Sequence, residues 1–449
     1  MAQAATAVPE PAGSASPLDR LMGLFGDVRA GEAVSAFLLL LNVFLILAGY
    51  YICKTVREPL ILAGGGAQLK SYASAGMAIV LMGFIPLYSW FSSRVDRARL
   101  IFAVSLFFAV NLELFWLGAR FHVPYLGVAF FIWVGIFNNA IIAQFWSYGN
   151  DLYRQADGQR LFPVIGVGTT LGSLVGALAA ARLFHAGVGA YTMLHITAVI
   201  LLASIGLYWL VERREGRRRL SAQATAPLEA GPNGFALLAT SPYLRLICVL
   251  LLLLNLVNTT GEYILDLAVT SEAAARAGTA GFNEEAFIGA FKGDYFFLVN
   301  VVAVLIQALV VSRIVRYLGV AGAVLALPVV ALGAYGIVVS GATFAAIRWA
   351  KVAENSSDYS VMNTARQMLW LPTSREEKYK AKQAADTFVV RVGDVLSAGL
   401  VWLGTHQLSL GMRGFGSVNL LIVALWIAVA LMLLREHRRL TAQRAALAT

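Results

Sequence analysis

Apolar positions form long stretches along the chain, separated by short polar connections. Twelve such stretches are centred near Leu41, Met82, Phe107, Gly135, Gly172, Leu202, Leu252, Val302, Val329, Glu354, Leu396 and Ile427. A helix of about 20 mostly apolar residues crosses the hydrocarbon core of a bilayer. The longest polar connection follows the sixth stretch. The pattern therefore predicts an all-α polytopic membrane protein with twelve transmembrane helices, six in each half.

The polar segments divide the chain into five regions. We expect a disordered cytoplasmic tail over 1–30, an N-terminal six-helix half over 31–211, a cytoplasmic linker over 212–236, a C-terminal six-helix half over 237–436 and a cytoplasmic tail over 437–449. The first 17 residues are rich in Ala, Pro and Ser. No apolar core follows a basic start there, so they do not have the pattern of a signal peptide.

Composition supports a membrane protein. Hydrophobic residues make up 59% of the chain and charged residues only 13%, whereas soluble domains carry about 25% charged residues. A soluble multidomain enzyme is therefore excluded. Most Arg and Lys follow the even-numbered stretches, including five arginines within 213–219, while the opposite face has Lys70 and few other cations. The positive-inside rule then puts both termini in the cytoplasm.

The net charge of +10 is thus a signal of topology and does not indicate nucleic-acid binding. Arg outnumbers Lys and Ala is abundant, which is typical of a GC-rich bacterial genome. We expect a multi-pass protein of the bacterial inner membrane, acting as a monomer in the lipid bilayer.

The two halves share a motif after their second helix. Ser93-Arg94-Val95-Asp96-Arg97 follows the second stretch, and Ser312-Arg313-Ile314-Val315-Arg316 follows the eighth. Asp96, Arg97 and Arg313 then lie on short cytoplasmic loops, where acid and base can pair within each half. Duplicated six-helix units with a solute site at their interface are typical of transporters of the major facilitator type.

Small residues repeat every four positions in the fifth stretch. Gly168, Gly172 and Gly176 have this spacing, and Gly393 and Ser397 repeat it in the eleventh stretch. Small residues four apart allow two helix backbones to approach closely. The motif predicts plain helix packing, which is compatible with a gating helix.

Charges interrupt the first apolar stretch. Lys54 and Arg57 are three residues apart on one helical face, Glu58 can neutralise Lys54 from four residues away, and Pro59 favours a kink. Ionisable groups within a membrane helix usually face a cavity. We expect these side chains to line one, with snorkelling to the outer interface as the alternative.

The tenth stretch is the most polar. Arg348, Lys351 and Asp358 fall on one helical stripe, and Glu354 lies near it. Apolar segments flank these charges, so the stripe predicts a cavity-lining transmembrane helix rather than a surface helix in water.

Further polar groups mark the seventh, eighth and eleventh stretches. They are Asn258, Glu262, Asp266, Lys292, Asp294, Asp386, Arg391 and Asp394. Because these residues include both acids and bases, they are compatible with two kinds of site. One is an anion site whose carboxylates take protons, and the other is a set of ion pairs that stabilise one conformation. The chain has no catalytic or metal-binding motif, and Cys53 and Cys248 have no ligand spacing. We therefore expect no enzyme activity, no metal and no cofactor.

Several segments resemble the ATP:ADP antiporters of plastids and intracellular bacteria, a branch related to the major facilitator superfamily. They are residues 51–62, 145–151, 160–163, 166–168, 358–368, 371–372 and 378–386. They extend over nearly the whole chain. The resemblance implies a twelve-helix carrier that exchanges nucleotides.

The resemblance also assigns roles to individual positions. The family's essential first-helix lysine corresponds to Arg57, and its neighbouring arginine corresponds to Lys54. Its loop lysines correspond to Lys380 and Lys382. Two family carboxylates are replaced, one near Val134 and one near Asn258, where Glu262 one turn away is a substitute.

Together these observations predict a secondary active transporter for an anionic, nucleotide-like solute, coupled to protons or to a counter-substrate. Lys54, Arg57, Arg348 and Lys351 would hold the solute. Glu262, Glu354 and Asp358 would balance these charges or take protons. Two alternatives remain open: a proton-coupled transporter of a siderophore, peptide or lipid-linked precursor, and a non-transporting membrane scaffold or sensor.

Overall fold

The computed structural model describes residues 28–29, 32–92, 97–153, 155–215, 234–374, 377 and 381–448, and these residues form helices joined by short turns. Asp96 and Lys380, both predicted to be functional, lie outside the described residues. The described part of the chain contains no β-strand. The predicted all-α class is confirmed.

In the described part of the chain, six long helices precede the polar linker. They are α1 (33–65), α2 (67–92), α3 (Arg97–Arg120), α4 (Leu126–Leu152), α5 (Gln155–His185) and α6 (Thr192–Glu215). Gly66 separates α1 from α2 with a φ of 69°. That left-handed conformation favours glycine, which has no Cβ to clash.

Among the described residues after the linker, a short helix at Gly234–Thr240 is followed by six long helices. They are α7 (Pro242–Arg276), α8 (284–318), α9 (320–339), α10 (344–369), α11 (382–406) and α12 (Met412–Ala448). A kink at Gly319 separates α8 from α9. Helix α12 continues through residues that the sequence pattern assigned to a tail.

Within the described residues, three of these helices contain a π-helical turn. The turns are Gln307–Val311 in α8, Asp358–Met362 in α10 and Ala385–Val389 in α11. Such turns interrupt regular hydrogen bonding and often occur at functional sites. The turn in α10 begins at Asp358, one of the predicted site residues.

Nine helical stretches of the described chain are long and apolar enough to cross a membrane. Two of the nine extend over helix pairs, α1 with α2 and α8 with α9. Helix α10 is not among them because it carries Arg348, Lys351, Glu354 and Asp358. The architecture is that of a multi-pass membrane protein.

Close packing within each half follows the small-residue motif. A Cβ at Gly168, Gly172 or Gly176 would meet the backbone of α1, at Leu40, Phe44 and Ala48 respectively. In the second half, Gly393 of α11 lies against Asn255 of α7. The motif therefore packs α5 on α1 and α11 on α7, which is the same relationship in both halves.

One contact between the two halves is that of α5 with α8. Gly289 of α8 lies against the ring of Phe184, and Gly293 lies against the backbone of Ala181. Near the same end, His185 Nε2 is 3.1 Å from Asp294 Oδ2, and the Ala190 amide donates to Glu285 over 3.1 Å. This end contains the α1–α2, α5–α6 and α7–α8 connections.

Candidate solute-binding cavity

A cavity lies between the two halves, with about 850 Å³ of unfilled space that is partly open to solvent. Helices α1, α2 and α4 of the first half line one wall, and α7, α8, α10 and α11 of the second half line the other. Its charged lining residues are Lys54, Arg57, Glu58, Lys70, Glu262, Asp358, Arg391 and Asp394. A cavity built from both halves matches the expected position of a transporter's solute site.

Lys54 of α1 contacts aromatic rings from three helices. Its Nζ lies 4.4 Å from the ring centre of Phe296, 5.0 Å from that of Tyr51 and 5.9 Å from that of Tyr359. Aromatic faces attract cations through their quadrupoles. Among the described residues, no carboxylate lies within ion-pair distance of this Nζ. An anionic group entering the cavity would therefore meet a lysine that forms no ion pair with the described residues.

Arg57 lies one turn further along α1. Its Nε donates to Glu58 Oε1 over 3.1 Å, and its guanidinium carbon lies 4.5 Å from the ring centre of Phe131 on α4. Stacking and pairing restrict the guanidinium plane to the cavity wall.

Four alternating charges connect the halves at the end of the cavity. Lys70 Nζ is 2.5 Å from Glu58 Oε2 and 2.8 Å from Asp266 Oδ2. Lys292 Nζ is 2.6 Å from Asp266 Oδ1 and 3.5 Å from Glu58 Oε2. All four side chains are buried, and Lys292 is 0% exposed. We call Glu58, Lys70, Asp266 and Lys292 the interhalf quartet.

The quartet corrects the predicted pairing of Glu58. The carboxylate contacts Arg57, Lys70 and Lys292, and it does not pair with Lys54. Lys70 appeared in the sequence only as a cation of the outer face. The sequence contained a signal for this cluster. All four residues adjoin the α1–α2 and α7–α8 connections, which are expected on the same side of the membrane.

The second half contributes amides and carboxylates to the cavity. Asn258 Nδ2 of α7 donates to Asp358 Oδ2 over 2.7 Å. Asn355 Nδ2 of α10 donates to Glu262 Oε1 over 2.7 Å. The Nζ of Lys292 is 3.8 Å from Glu262 Oε2. The predicted residues Asn258, Glu262 and Asp358 therefore lie together at this wall.

Helix α11 adds a pair that the predicted site omitted. Arg391 Nη1 is 3.1 Å from Asp394 Oδ2. Asn255 Nδ2 donates to Asp394 Oδ1 over 2.8 Å. The sequence marked both charges as polar positions, but nothing local related them to α7.

Three predicted residues of α10 do not line the cavity. Lys351 Nζ and Glu354 Oε2 pair with each other over 2.7 Å, and Glu354 also accepts from the hydroxyl of Tyr335 on α9. Both charged residues are 1% exposed. The guanidinium carbon of Arg348 lies 5.4 Å from the ring centre of Phe291. Helix α10 is buried on several sides, so its charged stripe divides between the cavity and the interior of the second half.

Comparison with known proteins identifies distant relatives. ADP,ATP carrier protein 1 of Chlamydia pneumoniae is 22% identical over 493 aligned positions, which cover 92% of this chain and 93% of that protein. The chloroplastic ADP,ATP carrier protein 1 of Arabidopsis thaliana is 21% identical, covering 86% and 71%. The chain is a divergent relative of these carriers. No family model matches the chain.

Solved structures agree on the fold. The nucleoside transporter NupG superposes with a TM-score of 0.63 at 12% identity, covering 89% of this chain and 98% of that one. A bacterial homologue of the iron transporter ferroportin, in an inward-facing state, gives 0.64 at 15% identity, covering 89% and 98%. The fold is therefore of the major facilitator type, as predicted.

The positions assigned by resemblance to the carriers, and those of the duplicated loop motif, fall in different places. Arg57 lines the cavity, whereas Lys382 donates to Gln367 Oε1 over 2.6 Å and is not part of the lining. Arg97 begins α3, and its side chain is outside the described set. The prediction that Arg313 lies on a short loop is wrong: it lies within α8, where it donates to the carbonyl of Leu309 on the same helix.

Proposed function

We propose that the protein is a secondary active transporter that moves an organic solute with an anionic group across the bacterial inner membrane by alternating access. The observation that carries this proposal is the cavity between the halves, where Lys54 and Arg57 face polar groups of the second half. The fold and the distant ADP,ATP carriers support it. In the proposed topology, twelve helices span the membrane and both termini are cytoplasmic.

The interhalf quartet would close the outer side of the cavity. It adjoins connections with few cations, and these are expected outside by the positive-inside rule. Opening this side requires Lys70 to leave Asp266 and Lys292 to leave Glu58. Water entering the gap would then solvate the separated charges, which offsets part of the lost ion-pair energy. Rocking of one half against the other would thus expose the site alternately.

Solute recognition would begin at Lys54. Its contacts with Phe296, Tyr51 and Tyr359 hold the ammonium group beside the cavity without neutralising it. The same rings can contact a planar group such as a nucleobase. Because the relatives are named as carriers of ADP and ATP, nucleotides are the first solutes to test.

The direct experiment is counterflow in proteoliposomes. Vesicles are preloaded with each of a set of nucleotides, organic anions and amino acids, and entry of the labelled compound is measured. Lys54→Gln and Arg57→Gln should lower uptake of an accepted solute about tenfold or more. Arg276→Gln is the matched control, because Arg276 pairs with Glu272 outside the cavity.

Two results would refute the proposal at different levels. Uptake by both cavity variants at the wild-type rate would reject the site. Absence of uptake of every compound, with folded protein in the vesicles, would reject the transporter.

A second candidate is a proton-coupled transporter of another metabolite, and the cavity carboxylates Glu262 and Asp358 favour it. Such a protein should accumulate solute when a pH gradient is imposed on empty vesicles. Strict dependence on preloaded solute would instead favour an exchanger.

A further inference from the structure

The charges that line the cavity cancel. Eight charged side chains of the described residues line it, four basic and four acidic. The remaining members of the quartet, Lys292 and Asp266, add one charge of each sign. The formal net charge of the cavity is therefore zero with or without them.

Most of these charges already have partners of opposite sign. Glu58 contacts Arg57 and Lys70, and Asp394 pairs with Arg391. Glu262 lies 3.8 Å from Lys292. These groups neutralise one another without any solute.

Two charged residues of the lining have no ion-pair partner among the described residues, and they have opposite signs. Lys54 lies against aromatic rings. Asp358 accepts a hydrogen bond from Asn258 over 2.7 Å, and a carboxylate has room for further donors. Lys54 belongs to α1 and Asp358 to α10, so they lie on walls formed by different halves.

A neutral cavity discriminates among solutes by charge. A nucleoside di- or triphosphate would bring about three or four negative charges and find one cation without an acidic partner. Transfer of such an anion from water is costly unless it is compensated. A solute with one anionic and one cationic group adds no net charge and satisfies both free residues.

Building on the proposed transport function, we propose that the cavity binds a dipolar ion, with its anionic group at Lys54 and its cationic group at Asp358. The solute class is that of amino acids and other small zwitterions. The aromatic rings of Phe296 and Tyr359 contact the part between the two charged groups. Binding then links the first half to the second through a single molecule.

The first test compares matched probes by thermal stabilisation of the purified full-length protein. The probes are the standard amino acids, glycine betaine and S-adenosylhomocysteine. Each amino acid is compared with its N-acetyl form, which lacks the cation, and its amide, which lacks the anion. ADP, ATP and 5′-methylthioadenosine complete the set. At least one zwitterion should raise the melting temperature at a concentration where its single-charge forms do not.

The second test uses variants. Asp358→Asn should weaken binding of that zwitterion about tenfold or more and bring its N-acetyl form to equal or tighter binding. Asp358→Glu should restore the preference for the zwitterion over its N-acetyl form. This variant distinguishes loss of the negative charge from misfolding. Lys54→Gln should weaken binding of the zwitterion and of the N-acetyl form alike. Glu272→Gln, outside the cavity, should change neither.

The outcomes separate this inference from the proposed function. It is overturned if ADP or ATP stabilises the protein better than every zwitterion, if no zwitterion stabilises it, or if Asp358→Asn binds like wild type. Counterflow of ADP or ATP would retain the transporter and reject the dipolar solute. Binding of a zwitterion without its transport would retain the dipolar solute and reject the transporter.

Discussion

Lys70 Nζ lies 2.8 Å from Asp266 Oδ2, and this ion pair joins α2 of the first half to α7 of the second. The same Nζ contacts Glu58 at 2.5 Å. The side chains of Lys70 and Asp266 are 9% and 2% exposed, so water screens the pair little. One lysine therefore connects helices from both halves.

Removing this lysine should favour separation of the halves at the quartet. Lys70→Met leaves two carboxylates to share Lys292, and their repulsion favours hydration of the gap. Spin labels at Val123→Cys and Gly278→Cys, with Cys248 replaced, report the distance between outer connections of the two halves. We expect a longer distance population in Lys70→Met. An unchanged distribution, equal to that of the Glu272→Gln control, would show that the quartet does not hold this end closed.

The quartet should show strong non-additivity. Lys292→Met leaves Glu58 and Asp266 to share Lys70 as their buried cation, and loss of one partner of a buried pair costs about 3–5 kcal/mol. Adding Asp266→Asn removes the excess carboxylate and retains the Lys70–Glu58 pair. The double variant should therefore unfold at a higher temperature than Lys292→Met alone. Additive losses in detergent unfolding curves would contradict this coupling.

Lys351 and Glu354 should affect stability more than solute affinity. They are buried together beside Tyr335 and do not line the cavity. Lys351→Met should lower the unfolding temperature, and Lys351→Met with Glu354→Gln should recover much of it, since neither charge is then left alone. The KM of the remaining folded protein should stay within about twofold, because the cavity is unchanged. A rise in KM of about tenfold would contradict this prediction and show that Lys351 contributes to solute binding.

Close packing of α5 on α1 should tolerate no added side chain. A Cβ at Gly172 would meet the Phe44 carbonyl, whereas one at Gly166 on the same helix meets nothing within 4 Å. Gly172→Ala should therefore destabilise the protein by about 1–3 kcal/mol through overpacking, and Gly166→Ala should not. Equal unfolding temperatures for the two variants would mean that α1 moves aside without cost.

Several local features were predictable from the sequence. The apolar stretches predicted helices, and Gly168, Gly172 and Gly176 predicted close packing of α5. These features depend on residues within a few turns of one another, and the helical repeat relates such residues directly. The charges on α1 and α10 were likewise recognisable, because an ionisable group is rare within an apolar stretch.

The partners of those charges were not predictable in the same way. Glu58 was expected to meet Lys54 one turn away, yet it contacts Lys70 and Lys292 on other helices. Lys351 and Asp358 share a stripe in sequence, but only Asp358 faces the cavity.

The sequence by itself determined the class of fold, because hydrophobicity and helical period act over about 20 residues at a time. Only the tertiary structure decided which charges neutralise one another and which remain available to a solute. That outcome depends on the rotation of each helix and on how two halves meet, and both are set by packing among distant residues. Lys54 and Asp358 line one cavity only because α1 and α10, which are distant in sequence, both form parts of its walls.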